Sequence, residues 1–186
     1  MGYAAQRNYK QITMNGKPLV GISACLLGEK VRYDGGDKLD HYLRDVLGKT
    51  VDFIAICPEA ESGMGVPREP MRLVHTGVTI RMLTQNTKRD MTSQMEPWLR
   101  KKLAELAGLP LCGYIFKARS PSCGLREVPC HPLDGGAVTV ATGLFAQALT
   151  ESLPVLPVVD EESLRDTKTR DKFIEQVFSM QRQLGA

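Results

Sequence analysis

The sequence predicts a three-layer α/β/α domain of the Rossmann-like type, built on a mostly parallel sheet. Three observations carry that expectation. Short apolar runs alternate with stretches of helical periodicity along most of the chain. The runs are continuously apolar, as in strands buried on both faces, and do not alternate inside and outside. The 186 residues suffice for one domain with a real core and are too few for two ordinary ones.

Each element follows in order. Residues Met1 to Lys17, among which Met14 offers an alternative start, lack an apolar segment of signal-peptide character and read as an N-terminal extension to a domain over 18–160. Pro18 to Ala24 is a buried strand, followed by a Gly-containing loop from Cys25 to Asp37. Lys38 to Leu47 carries Leu39, Tyr42, Leu43 and Val46 at helical spacing, and Gly48 closes that helix. Val51 to Ile56 is the second buried strand. The proline- and glycine-rich stretch from Cys57 to Arg72 reads as a long ordered loop. Val78 to Leu83 reads as a strand, and Asp90 as the cap of a helix from Met91 to Ala107 ended by Gly108. Gly113 to Phe116 is a core strand, and Lys117 to Gly136 a further loop. Residues 137–149 begin as a strand and turn into a helix. Val155 to Val159 is a last strand. Asp160 is expected to cap a C-terminal helix over 161–186, with Phe173, Ile174, Val177 and Phe178 on one stripe.

Composition narrows the function. A net charge of +3 suits a small anionic ligand and is too weak to argue for nucleic acid alone. No run has the length of a membrane span, so the cytoplasm is the expected compartment. Five cysteines are an odd number in a chain large enough to do without disulfide staples, which points away from a secreted framework and towards metal or catalysis.

Position divides those five. Parallel sheets bind ligands beyond the carboxyl ends of their strands, and three thiols fall there. Cys25 follows the first strand, Cys57 the second, and Cys123 lies shortly after the strand ending at Phe116. Separations of 32 and 66 residues match no short zinc or ferredoxin signature. They are compatible with one ligand from each of three strand ends, or with three small buried residues that only pack. Three thiolates would leave one position of a tetrahedral site open for chemistry, and soft sulfur donors favour iron–sulfur clusters or zinc over magnesium or calcium. Cys112 leads into a core strand and reads as packing. The adjacent pair Cys130 and His131 is a weak metal signal.

Other reactive groups share the same loops. Glu59 is two residues from Cys57 and is the natural general base, with Glu61 second. Ser120 and Ser122 flank Pro121 before Cys123, where they can cap a turn or position a water. Arg32, Tyr33 and Asp34 precede Gly35 and Gly36, in a loop able to present backbone N–H groups. Arg68, Arg72, Lys117, Arg119 and Arg126 crowd the Cys57 and Cys123 loops, a setting suited to a phosphate or a polar heterocycle. The tripeptide Gly48-Lys49-Thr50 follows a helix where a P-loop would open one, and it lacks the upstream glycine.

The motifs S-A-C-L-L-G (Ser23 to Gly28), R-Y-D-G-G (Arg32 to Gly36), C-P-E (Cys57 to Glu59), G-M-G-V-P-R-E-P (Gly63 to Pro70) and K-x-R-S-P-S-C-G-L-R-E-V-P (Lys117 to Pro129) occur in this order. Together they resemble the thiouracil desulfidase family, over about residues 18–160. The resemblance implies a 4Fe-4S cluster held by Cys25, Cys57 and Cys123 alone, a catalytic glutamate at Glu59, and a catalytic serine at Ser120 or Ser122, with Ser120 favoured. It implies a non-redox reaction in which a thiocarbonyl pyrimidine (4-thiouracil, 4-thiouridine or its monophosphate) becomes its oxo form and hydrosulfide is released. Arg32, Tyr33, Asp34, Arg68, Lys117 and Arg119 are the expected substrate-binding residues. Longer relatives continue past the final helix into a second domain and act on 4-thiouridine in tRNA. Because the sequence stops at Ala186, a free base or nucleotide is the expected substrate and tRNA the alternative. A non-catalytic iron–sulfur or zinc protein is the remaining reading.

Overall fold

The computed structural model describes residues 16–133 and 135–185, so the expected N-terminal extension lies almost wholly outside the described residues. Four strands form a fully parallel sheet: β1 (Leu19–Ser23), β2 (Asp52–Ile56), β5 (Leu111–Phe116) and β8 (Val158–Asp160), in the order β2-β1-β5-β8. The other four form a second, mixed sheet in the order β4-β3-β6-β7, from β3 (Met71–His75), β4 (Ile80–Thr84), β6 (Val128–Pro132) and β7 (Thr139–Ala141). Strands β3 and β6 run parallel, and β4 and β7 are antiparallel additions at the two edges. The helices are α1 (Pro58–Glu61), α2 (Thr92–Ala107), α3 (Leu144–Ser152) and α4 (Thr167–Leu184).

The apolar runs explain the layering. Side chains alternate across a strand. Along β1, Val20 and Ile22 meet α4 and the turns around Leu43 and Leu47, and Leu19 enters the opposite core. That second core holds Ile54, Ile56, Tyr114 and Phe116 of the sheet against Leu106 of α2 and Phe145 and Leu149 of α3. The parallel sheet is therefore covered on both faces, as expected. Met71, Leu73, Met82, Val128 and Cys130 line the inner face of the second sheet and pack on Met95 of α2, so one helix serves both sheets.

The second sheet is the main departure from the expected architecture. The segment expected as a loop over 57–72 opens with the single turn α1 and closes in β3. The expected loop over 117–136 contains β6. Both strands are short: β6 (V-P-C-H-P) is interrupted by Pro129 and Pro132, and β3 (M-R-L-V-H) by Arg72, so neither shows a long apolar run. Residues 38–47 form a π-helical turn at Tyr42–Val46 that passes into a 3-10 turn at Leu47–Lys49, not a regular helix. Asp160 ends β8, and its carboxylate accepts from the Ser163 amide at 2.7 Å. The long final helix is capped instead by Asp166, which accepts from the Thr169 amide at 2.8 Å. Of the expected stripe, Phe173 and Val177 are buried, and Ile174 packs at its margin.

The amino end of α3 fixes the loop after β5. Leu144 donates to the Pro121 carbonyl at 3.1 Å, and the amides of Phe145 and Ala146 donate to the Ser122 carbonyl at 2.9 and 3.2 Å. The unpaired N–H groups of a helix start are satisfied in this way. The approach is close enough that a Cβ on Gly143 would lie 2.6 Å from the Ser122 carbonyl carbon and 2.9 Å from the Gly124 nitrogen. Those are backbone atoms and cannot rotate away. Gly143→Ala is expected to destabilise the fold by about 1–3 kcal/mol, the usual range for overpacking. Urea denaturation of the two proteins measures it, and equal midpoints would remove the loop's dependence on this contact.

Candidate active site

The carboxyl ends of β2, β1 and β5 open onto one cavity of about 440 Å³. It lies where strand order reverses about β1, the switch point at which open α/β sheets place ligands. Cys25 reaches it from the 3-10 turn at Ala24–Leu27 directly after β1. Cys57 reaches it from the start of α1 after β2, and Cys123 from the loop that α3 holds after β5. The expectation that three strand ends bring three thiols to one place describes the geometry. Cys112 and Cys130 are buried elsewhere, in β5 and β6, and all five thiols are free.

Burial controls the thiols. It pushes the Cys25 pKa up from 9.0 to about 11 and that of Cys57 to about 12, and it raises Cys123 well above the usual range. Nearby charges act in both directions. Lys117 and Arg32 pull Cys25 down, and a hydrogen bond from Ser23 pulls Cys123 down. Cys25 raises Cys57, and both raise Cys123, all three lining the same cavity. Without a cofactor the thiols are protonated at neutral pH, and loading a thiolate-bound metal centre must release protons. Each pKa is higher in the folded chain than in an unfolded one. The stability this contributes is whole below about pH 9 and is lost as pH climbs towards 11–12. Metal-free protein should lose up to about 1.4 kcal/mol per pH unit per thiol in that window. Urea melts at pH 8 and pH 10 measure this, and equal stabilities would contradict it.

Glu59 is the most constrained group at the site. Arg68 donates to its Oε2 through Nε at 2.9 Å and Nη2 at 2.5 Å, and the Ser122 hydroxyl donates to Oε1 at 2.6 Å. The Arg68 side chain is 7% exposed and that of Glu59 13%, so this is a largely desolvated ion pair. Arg68 also donates to the carbonyls of Val31 at 3.0 Å and Gly65 at 2.8 Å. Ser122 is buried and lies behind Glu59. Ser120 lines the cavity, and its oxygen accepts from the Cys123 amide at 3.1 Å and the Ser122 amide at 3.3 Å. The hydroxyl proton of Ser120 remains for donation.

The remaining expected residues divide. Arg32, Tyr33, Lys117 and Arg119 line the cavity with Arg68. Lys117 pairs with the buried Glu161 and donates to the Ala118 carbonyl, and Arg119 pairs with Glu162. Asp34 turns to its own loop, where it accepts from the Gly36 amide at 2.9 Å and faces Arg32 at 3.5 Å. Glu61 accepts from the Cys57 amide and pairs with Lys102 on α2. Arg72 is on β3 and Arg126 pairs with Asp160. Lys38, Gln85 and Ser23 also line the cavity, and Glu161 supports Lys117 from behind. The strand-end rule points to Ser23 and Glu161, which end or follow β1 and β8. Gln85 follows β4, a strand of the other sheet, where the rule gives no signal.

Among the described residues, no group of three or more His, Cys, Asp or Glu side chains could hold a single metal ion. A tetrahedral zinc with Zn–S bonds of about 2.3 Å needs its sulfurs packed tightly round one point. Three soft thiols round one cavity fit the donor chemistry of an iron–sulfur cluster. A buried orphan agrees with that fit. The Tyr114 hydroxyl is buried with no hydrogen bond of proper geometry, and Cys123 and Ser23 are among the groups that bear on it.

Comparison with known proteins gives three matches. The family model described as 2-thiouracil desulfurase matches residues 20–161. The uncharacterized protein YbbK of Bacillus subtilis (strain 168) is 27% identical over 154 residues, covering 80% of this chain and 99% of that protein. The solved structure of a protein titled 4Fe-4S-dependent thiouracil desulfidase TudS superposes with a TM-score of 0.63 at 28% identity, covering 80% of this chain and 94% of that one. Among the described residues no helix is long and apolar enough to cross a membrane.

Proposed function

We propose a reaction from one premise: the chain belongs to the 2-thiouracil desulfurase family. The reaction is hydrolysis of the C=S group of a thiopyrimidine base or nucleotide, giving the oxo form and hydrosulfide without electron transfer. The observation that carries this reading is Glu59, fixed between Arg68 and Ser122 on the wall of a cavity that three free thiols share.

Cys25, Cys57 and Cys123 would hold a 4Fe-4S cluster, like the one named for the TudS relative. Bound there with one iron free of protein ligands, such a cluster supplies a soft Lewis acid for the thiocarbonyl sulfur. The chain's own residues do the proton chemistry. Glu59 accepts a proton from water as the water oxygen bonds to the thiocarbonyl carbon. The C–S bond then breaks as the second water proton passes from the new hydroxyl to sulfur, which leaves as hydrosulfide with the bonding electron pair, and Glu59 returns its proton to solvent. Arg68 and Ser122 are positioning residues that aim the carboxylate. Ser120, with its proton free, is placed to orient the water or the substrate. Arg32 and Tyr33 line the cavity wall available to the pyrimidine. Arg68 is committed to Glu59 and two carbonyls, so its role is support of the base and not contact with substrate.

Anaerobically loaded protein should bleach the long-wavelength absorbance of 4-thiouracil or its nucleotide and release one sulfide per base. Loaded protein that leaves base, nucleotide and 4-thiouridine tRNA all unchanged would overturn the reading. A preference for tRNA with a steep fall in rate as salt rises would move the substrate to nucleic acid. The two serines separate cleanly. Ser122→Ala should cost about 1–3 kcal/mol of stability, because it strips a donor from a buried carboxylate. Ser120→Ala should lower kcat at nearly unchanged stability. Denaturation and steady-state kinetics of the two variants distinguish these roles, and the reverse pattern would exchange them.

A further inference from the structure

Tyr114 is an unusual choice for its position. It lies on β5 with 0% exposure, inside an aromatic cluster, its ring centroid 4.3 Å from that of Phe116 and 5.5 Å from that of Phe145. A phenylalanine would satisfy every apolar contact there. The hydroxyl costs desolvation and has no hydrogen-bond partner. The neighbouring strand is also shaped to admit the ring. Gly21 of β1 sits opposite Tyr114, and a Cβ there would lie 2.2 Å from the ring carbon Cδ2.

The surroundings of the hydroxyl point to the thiols. Cys123, Glu61 and Cys57 are titratable groups near enough to bear on the phenol, as is the Ser23 hydroxyl. Glu61 is already occupied by the Cys57 amide and Lys102. Ser23 completes the arrangement. Its oxygen accepts from the Lys117 amide at 2.9 Å, and it lies close enough to bear on both Cys123 and Tyr114, although the tyrosine hydroxyl forms no bond of proper geometry with it. Cys123 and Tyr114 belong to the same buried cluster.

We infer that Tyr114 is a positioning residue whose hydroxyl donates a hydrogen bond to the Cys123 sulfur, or to a cluster sulfur beside it, once the cofactor is in place. The inference rests on the cofactor reading above and goes beyond it. A donor on a ligating sulfur withdraws electron density from it. That keeps the metal it binds more electrophilic and raises the cluster's reduction potential.

Tyr114→Phe tests this without relying on turnover, and the swap nearly conserves volume. In anaerobically loaded protein with the wild-type iron content, the reduction potential should move to more negative values, read by EPR-monitored titration. Thermal melts should cross over. The variant should melt at or above wild type without cofactor and below wild type when loaded. An unchanged potential, or an equal loss of melting temperature in both states, would overturn the inference. Failure of the wild-type chain to take up iron would overturn the cofactor reading and this inference together. A shifted potential in protein that turns over no thiopyrimidine would leave the inference standing and overturn only the reaction.

Discussion

Glu59→Gln is expected to lower kcat for thiopyrimidine desulfurisation by about 10²–10⁴-fold, the range typical of a lost general base. The substitution keeps shape and leaves a carbonyl oxygen to accept from Arg68 or Ser122, the two groups that now hold the carboxylate. What it removes is a place for the water proton. Iron content and fold should be kept, at a cost in stability because the buried Arg68 guanidinium loses its counter-charge, and the fall should appear in kcat more than in KM, because the carboxylate acts on the attacking water. Single-turnover kinetics on iron-replete protein measure this. A variant with full turnover would remove Glu59 from the chemistry, whatever the state of the cluster.

The second large effect is on stability. Arg68→Met should destabilise the protein by about 3–5 kcal/mol, because it leaves the Glu59 carboxylate buried without its counter-charge. Turnover should fall as well, since Ser122 alone would aim the base. The double variant Glu59→Gln/Arg68→Met should recover much of the lost stability, as expected when the penalty comes from an unpaired charge and not from lost packing. Arg68→Lys should rescue little. One guanidinium serves Glu59 and the carbonyls of Val31 and Gly65 at once, and an ammonium cannot span all three. Urea denaturation of the four proteins completes the cycle. Additive losses in the double variant would show that the ion pair is not what makes Arg68 matter.

The legible parts of the fold were those with a simple period. β1, β2 and β5 are continuous apolar runs because both of their faces are covered, and they appear in the sequence near their true places. The second sheet was illegible for the opposite reason. β6 reads V-P-C-H-P and β7 is three residues long, so their pairing depends on partners distant in sequence and not on pattern. The site followed the same division. The thiols and Glu59 were visible because strand ends in a parallel sheet are where ligands bind. Ser122 could be found only as one of two serines, because its role depends on which way a turn held by α3 faces. The part played by Arg68 was hidden. Its motif marks it as basic and loop-borne, and only burial shows that it is committed to a carboxylate. Tyr114 gave no signal, since a tyrosine in an apolar run looks like core until its hydroxyl is seen to lack a partner.

The three thiols follow adjacent parallel strands, β1, β2 and β5, and every connection between those strands runs through helical turns, a helix or the second sheet. Parallel pairing of this kind brings together segments far apart in sequence, so it forms late and as a unit. No fragment of the chain that stops short of β5 contains the cavity. The order of assembly follows from this. Zinc fingers condense around their metal; on the cofactor reading proposed above, this polypeptide would complete its sheet first and receive its cluster afterwards, as a finished host. The opening above Cys25, Cys57 and Cys123 would then have to admit a cluster before it admits any substrate.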